Sequence, residues 1–256
     1  MFSALLQLPA RCEVCRSWPA RALCEACVSR FAQPRPRCRL CALPLDTAWA
    51  AQDAAQSSAE VCTDCRLHPP PWQACLCAVD YAYPWSSLLA RFKFAMDAGW
   101  ATSLAQLMRS APWIEPAIDA ADVVLPMPLS AERLRERGFN QALLLARALA
   151  GPKVQAQVLL RIRHTQQQSA LPLKERLHNV AQAFAVEPAK RAQLQGQRVV
   201  LIDDVMTSGA SLRAAAQPLL QAGVTHLSCI VLARTPRPTD WENDWENHWE
   251  SDGQDR

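Results

Sequence analysis

No stretch of this sequence reaches the ~18 consecutive apolar residues that a membrane-spanning helix needs, so membrane insertion is not expected. Its first ten residues, M-F-S-A-L-L-Q-L-P-A, lack the basic segment of a secretory leader, and Gln7 and Pro9 interrupt their apolar part. With both signals missing, the chain is expected to be cytoplasmic. Disulfides are not expected there either, although eleven cysteines are present. Eight of them fall into four C-x2-C pairs, Cys12/Cys15, Cys24/Cys27, Cys38/Cys41 and Cys62/Cys65. In a reducing compartment that spacing presents thiolates to a metal, and two such knuckles complete a tetrahedral zinc site.

The pairs read as a repeat, with an apolar residue (Leu23, Val61) before each second pair. Two consecutive zinc sites follow from this order, Cys12/Cys15/Cys24/Cys27 and Cys38/Cys41/Cys62/Cys65, with a cross-braced pairing as the alternative. A segment this small has little core of its own, and each structural zinc supplies on the order of 10 kcal/mol of folding free energy. The ribbon is either a stapled structural cap or a surface for a partner or nucleic acid. Pro69, Pro70 and Pro71 close it. The expected organisation is a double zinc ribbon over 1–71, an α/β domain over 72–238 and an acidic tail over 239–256.

The 256 residues are half hydrophobic, enough for a sizeable core. Val199–Ile202 is a continuous apolar run, as in a central parallel strand covered on both faces. Asp203 and Asp204 follow at its carboxyl end, where open α/β sheets place ligands. Next come Thr207, Ser208, Gly209, Ala210 and Ser211, with a helix starting near Ala210. Unpaired N–H groups at a helix N-terminus attract phosphate, and Gly209 allows close backbone approach. Carboxylates beside an anion site repel the anion but accept hydrogen bonds from sugar hydroxyls. The implied ligand is a sugar phosphate, with its ribose on the aspartates and its 5′-phosphate in the Thr207–Ser211 loop.

Further strands are expected over Cys75–Ala82, Asp122–Leu125, Val158–Ile162, Ala183–Val186 and Ser228–Ala233. Helices are expected over Trp85–Met96, Ala101–Ser110, Phe139–Ala150 and Ala210–Ala222. Cys75 and Cys77, without pair spacing, read as core thiols. Lys93 reads as solvated, with a phosphate within its reach. Arg133, Arg135 and Arg137 put dense positive charge beyond a strand end, as a solvated helix face or an anion site. Residues 161–180 break periodicity and are rich in donors, as in a lid or a polar surface loop. Arg163, Thr165, Gln168, Arg176 and Asn179 are its candidate working residues.

The stretch V-V-L-I-D-D-V-M-T-S-G-A-S resembles the phosphoribosyl-pyrophosphate (PRPP) signature of type I phosphoribosyltransferases. Taken with the cysteine pairs, P-M-P-L, R-L-R-E-R-G-F-N-Q and R-I-R-H-T-Q-Q-Q-S-A-L, the chain from Cys12 to Arg234 is similar to the ComF/GntX family. Ser208 stands where many relatives have Thr, and the second ribbon spacer is long. The resemblance implies a double zinc ribbon joined to a type I phosphoribosyltransferase-like parallel sheet with helices on both faces, and a link to the uptake or use of external DNA. It implies PRPP with Mg²⁺ at Asp203, Asp204 and the Thr207–Ser211 loop. Arg133 and Arg137 would lie near the pyrophosphate, and Arg163 and Gln168 in a lid over the reacting carbon. The sequence offers no obvious general base for an acceptor and no recognisable nucleobase pocket. The alternatives are a PRPP-binding adaptor without transfer, partnered with the DNA-import machinery, and a single-stranded DNA binder. The net charge is +3, and about +9 without the tail from Thr239 onward, the sign expected for nucleic-acid contact. In that tail Trp241, Trp245 and Trp249 recur every fourth residue, as a docking stripe on a helix or as a disordered acidic end.

Overall fold

The structure is a computed structural model that describes residues 10–45, 61–94, 97–162 and 183–236. Two short helices belong to the cysteine segment, α1 (Glu25–Phe31) and α2 (Thr63–Leu67). Then follow β1 (Ala74–Asp80), α3 (Trp85–Phe94), α4 (Trp100–Arg109), α5 (Ile114–Asp119) and β2 (Val123–Pro126). After them come α6 (Ala131–Arg137), α7 (Gln141–Ala150), β3 (Leu159–Arg161) and β4 (Phe184–Val186). The last elements are β5 (Arg198–Met206), α8 (Ala210–Gln221) and β6 (His226–Arg234).

Four strands form a parallel sheet in the order β1-β6-β5-β2. β5 and β6 are central, which is why both are apolar on each face. Val199, Val200, Leu201 and Ile202 are all buried, as are Leu227 and Cys229 to Ala233. Alternate residues feed two cores. Val199 and Leu201 join α8, β4 and the second cysteine group on one face. Val200 and Ile202 join α3, α4, α5, α7 and Leu23 of the first cysteine group on the other. The expected parallel sheet with helices on both faces is therefore found, with one cysteine group packed toward each face.

The sequence reading needs two corrections. β5 does not end at Ile202 but pairs with β6 as far as Met206↔Arg234, because the long buried β6 continues the ladder beside it. β3 and β4 lie outside the parallel sheet and pair with each other antiparallel, with the Ile162 N–H donating to the Ala183 carbonyl at 2.8 Å. They thus form the base of the segment 163–182, which lies outside the described residues with the expected working residues Arg163, Thr165, Gln168, Arg176 and Asn179. The charged run after β2 lies on a helix, α6, in line with the helix-face reading of Arg133, Arg135 and Arg137. Its signals are in the caps: the Ser130 hydroxyl accepts from Arg133 N–H, and Gly138 ends the helix at φ 74°. The tail from 237 onward also lies outside the described residues. Cys75 and Cys77 are buried core thiols, as expected.

Candidate functional site at the carboxyl end of the sheet

The extra length of β5 decides where its aspartates point. Asp203 continues the series of Val199 and Leu201, and Asp204 that of Val200 and Ile202, so the two carboxylates leave opposite faces of one strand. Asp204 is buried and pairs with Lys93 of α3, Nζ to Oδ1 at 3.2 Å. Lys93 is thus neither solvated nor turned toward a phosphate. It lies four residues after the buried Leu89, on the inner side of its helix. The Oδ1 of Asp203 accepts from the N–H of Asp204 at 2.9 Å. Burial first, and then the charge of Asp204, push the Asp203 carboxyl up to about 7, against the opposing pull of Lys93 and Arg137.

Cations face this pair from three elements. On α6, Arg133 and Arg137 are one helical turn apart and half-buried, whereas Arg135 points to solvent. Arg137 lies over the Phe94 ring at 5.5 Å and donates to Gln141 Oε1 at 3.1 Å. Burial lowers its pKa, while the charges of Asp204 and Asp203 act in the opposite direction. Arg161 of β3 stacks over Phe184 at 5.4 Å, and burial and Arg133 lower its pKa against Asp203. Arg161 is not among the sequence-based candidates, and Lys93 is there only as a solvated side chain in reach of a phosphate, not as the partner of Asp204. Lys93 carried a signal in its spacing from Leu89; Arg161 had none beyond opening the R-x-R of its segment.

Beyond Met206 the chain turns through exposed Thr207 and Ser208 to Gly209, at φ 75°, and enters α8 at Ala210. The Ser208 hydroxyl accepts from Ala210 N–H at 3.4 Å. The left-handed glycine lets the loop fold tightly over Met206: a Cβ there would lie 2.5 Å from the Met206 methyl. The first N–H groups of α8 have no acceptor within the helix and face the same end of the sheet as the aspartates. This end therefore combines acceptors suited to hydroxyls (Asp203, Asp204) with donors suited to oxyanions (Thr207–Ser211, Arg133, Arg137, Arg161).

The eight paired cysteines form two groups, Cys12/Cys15/Cys24/Cys27 and Cys38/Cys41/Cys62/Cys65, each with its sulfurs within 4.8 Å of one another. This is the consecutive pairing, not the cross-braced one. Sulfur separations of 3.9 Å (Cys12–Cys27), 3.6 Å (Cys15–Cys24) and 3.6 Å (Cys41–Cys62) match the ~3.8 Å edge of a tetrahedron with ~2.3 Å zinc–sulfur bonds. Backbone N–H groups add support, Cys24 to the Cys12 sulfur at 3.5 Å and Cys62 to the Cys38 sulfur at 3.3 Å. The Ser17 hydroxyl, followed by its N–H, lowers Cys15 to about 6, toward the thiolate that a metal requires. Both groups could hold zinc. The first is partly open through exposed Cys15, and the second is entirely buried.

The phosphoribosyl transferase domain family matches residues 136–252. The chain is 31% identical over 240 residues to the DNA utilization protein YhgH of Salmonella typhimurium, covering 90% of this chain and 100% of that protein. It is 29% identical over 221 residues to competence protein F of Haemophilus influenzae, covering 83% and 90%. It is 31% identical over 212 residues to competence protein ComFC of Bacillus subtilis, covering 80% of each chain. With likeness of this extent to YhgH, and a phosphoribosyl transferase domain around the aspartate pair and its loop, the chain belongs to the ComF family.

Proposed function

We propose that the protein binds PRPP, or a related sugar phosphate, with Mg²⁺ at the carboxyl end of β5, and acts in the uptake or use of external DNA. The observation that carries the site is the juxtaposition of two strand-end carboxylates with a glycine-turned hydroxyl loop at a helix start. In this reading Asp203 and Asp204 accept from the ribose hydroxyls, and Thr207, Ser208, Gly209, Ala210 and Ser211 hold the 5′-phosphate. Arg133 and Arg137 neutralise the pyrophosphate, with Arg161 as a further cation and Arg163 and Gln168 in the covering segment. Mg²⁺, when bound, adds positive charge at the pyrophosphate. Transfer would break the bond from C1′ to the pyrophosphate oxygen, which leaves with the electron pair as a nucleophile attacks C1′. The names of the relatives, DNA utilization protein and competence protein, support the biological setting. The organisation that fits is a zinc ribbon over 1–71, a phosphoribosyltransferase-like domain over 72–238 and an acidic tail over 239–256, in a cytoplasmic protein.

A second reading, binding of PRPP without transfer, is favoured by one contact. Asp204 already pairs through Oδ1 with Lys93 at 3.2 Å, so its part is to hold a ribose hydroxyl with its remaining lone pairs rather than to take a proton from an acceptor. The deciding experiment measures pyrophosphate release from PRPP with a panel of nucleobases, beside PRPP binding and single-stranded DNA binding over a salt series. Release with one acceptor supports transfer. Intact PRPP binding without release for any acceptor rejects transfer and leaves the binder. DNA affinity that falls steeply with salt would instead support direct nucleic-acid contact.

A further inference from the structure

β6 is an apolar, buried strand that ends on a buried arginine, Arg234. Its guanidinium joins two parts of the molecule far apart in sequence. Nε donates to the carbonyl of Cys41 at 2.8 Å, and Nη1 donates to the carbonyl of Met206 at 3.1 Å and to that of Thr235 at 2.6 Å. Cys41 belongs to the second cysteine group, and Met206 is the last strand residue before the Thr207–Ser211 loop. The same carbonyl of Met206 also accepts from the Thr235 N–H at 3.0 Å, so the loop's first peptide is held from two sides.

Packing runs parallel to this bridge. Trp72 donates through Nε1 to the Leu40 carbonyl at 2.8 Å, within the Cys38/Cys41 knuckle of the second group, and its ring reaches to 3.9 Å from a Cβ built on Gly209. The Cys75 thiol lies 3.5 Å from the Met206 sulfur that fills the space beneath Gly209. From α8, Arg213 donates to the carbonyls of His68 (3.1 Å) and Pro69 (3.3 Å), which close the cysteine segment, and lies over Trp72. The first cysteine group docks elsewhere: Trp85 donates to the Phe31 carbonyl at 2.9 Å, and Glu13 pairs with Arg91 at 2.7 Å, both on α3.

We infer that Arg234 is a positioning residue, a strut through which the second cysteine group, and a metal held by it, sets the shape of the phosphate loop. A buried guanidinium is stable only where its donors are satisfied and its charge is offset. The carbonyls of Cys41, Met206 and Thr235 satisfy donors, and a metal-loaded four-thiolate group beside it carries net negative charge. Zinc in this group is then more than a staple of a cap, because it fixes the Cys41 carbonyl that one end of the strut grips. The consequence for ligand binding rests on the PRPP reading above; the strut itself does not.

The test uses the full chain with zinc in both groups and reads amide exchange over residues 207–212 by mass spectrometry. Arg234→Lys keeps the charge, but a single ammonium cannot span both carbonyls. Loop exchange should accelerate about tenfold, the size of one charge-assisted hydrogen bond, while both zinc ions stay bound. Cys15→Ser, in the first group, should leave loop exchange at the wild-type rate. Coupling between sites is reciprocal in binding free energy, so PRPP with Mg²⁺ should raise the equilibrium zinc affinity of the second group in the wild type and lose that effect in Arg234→Lys. Unchanged loop exchange in Arg234→Lys overturns the strut. If that variant loses its metal or does not fold, wild type stripped of both ions is compared with wild type stripped of the first-group ion alone, and equal loop exchange in the two overturns the proposal equally. Failure of the wild type to bind PRPP would remove the PRPP reading alone, since loop exchange still decides the strut.

Discussion

Asp203→Asn should make the protein more stable and unable to bind its ligand, and the gain should grow with pH. The Asp203 carboxyl moves from an ordinary 3.8 to about 7, chiefly through burial and the neighbouring Asp204. Converted at ~1.4 kcal/mol per tenfold change, the full displacement is worth ~4 kcal/mol. Asp203 keeps some solvent contact, so roughly half of that, ~2 kcal/mol, is the better expectation. The sign follows from the direction of the shift. Because the folded-state pKa is raised, the unfolded chain loses this proton first, and wild-type stability falls as pH rises from near 4 until Asp203 itself ionises near 7. Asn has no such titration, and its oxygen still accepts from the Asp204 N–H. Denaturant unfolding of zinc-saturated wild type and Asp203→Asn, at intervals from about pH 5 to about pH 8, should show the variant's advantage growing by ~1–2 kcal/mol. A difference that is flat with pH, or a variant less stable than the wild type near pH 8, would refute the reasoning.

Removing Lys93 should have the opposite consequence for stability. Lys93→Met leaves the buried Asp204 carboxylate without its nearest counter-charge and should cost about 3 kcal/mol, much of it recovered in the double variant with Asp204→Asn; a denaturation double-mutant cycle reads the coupling. Gly209→Ala should cost ~1–2 kcal/mol in thermal or denaturant unfolding and disturb the loop. The Met206 methyl can move aside, but the left-handed φ of 75° still disfavours an L-residue. Native mass spectrometry should find two zinc ions per chain, one for each cysteine group, and a chelator should remove the ion beside exposed Cys15 before the one in the buried group.

The sequence was most legible where one physical demand fixes the residue type. A strand covered on both faces must be apolar throughout, and Val199–Ile202 announced β5 for that reason. A tetrahedral thiolate site needs paired knuckles, so C-x2-C spacing marks all eight ligands; their repeated order favours the consecutive groups over the cross-braced alternative, and the structure has the consecutive ones. Legibility failed where a charged residue lies in a surface-like pattern but is buried by a distant partner. Lys93 is defined by Asp204, Arg234 by the carbonyls of Cys41 and Met206, and neither partner is near in sequence. The aspartates were found as residues but not as opposed side chains. Their placement depends on β5 extending four residues past its apolar run, and that extension is imposed by β6. Helix α6 has no buried residue, so apolar periodicity had nothing to report, and only Ser130 and Gly138 marked its ends.

The most direct measurement of the central claim is calorimetric titration of PRPP with Mg²⁺ into the zinc-loaded full chain, beside the double variant Asp203→Asn/Asp204→Asn. The account requires saturable binding at one site in the wild type and none in the variant, with the zinc content of the two proteins equal. Binding that survives in the variant, with zinc intact, would contradict the assignment of the ligand to the carboxyl end of β5.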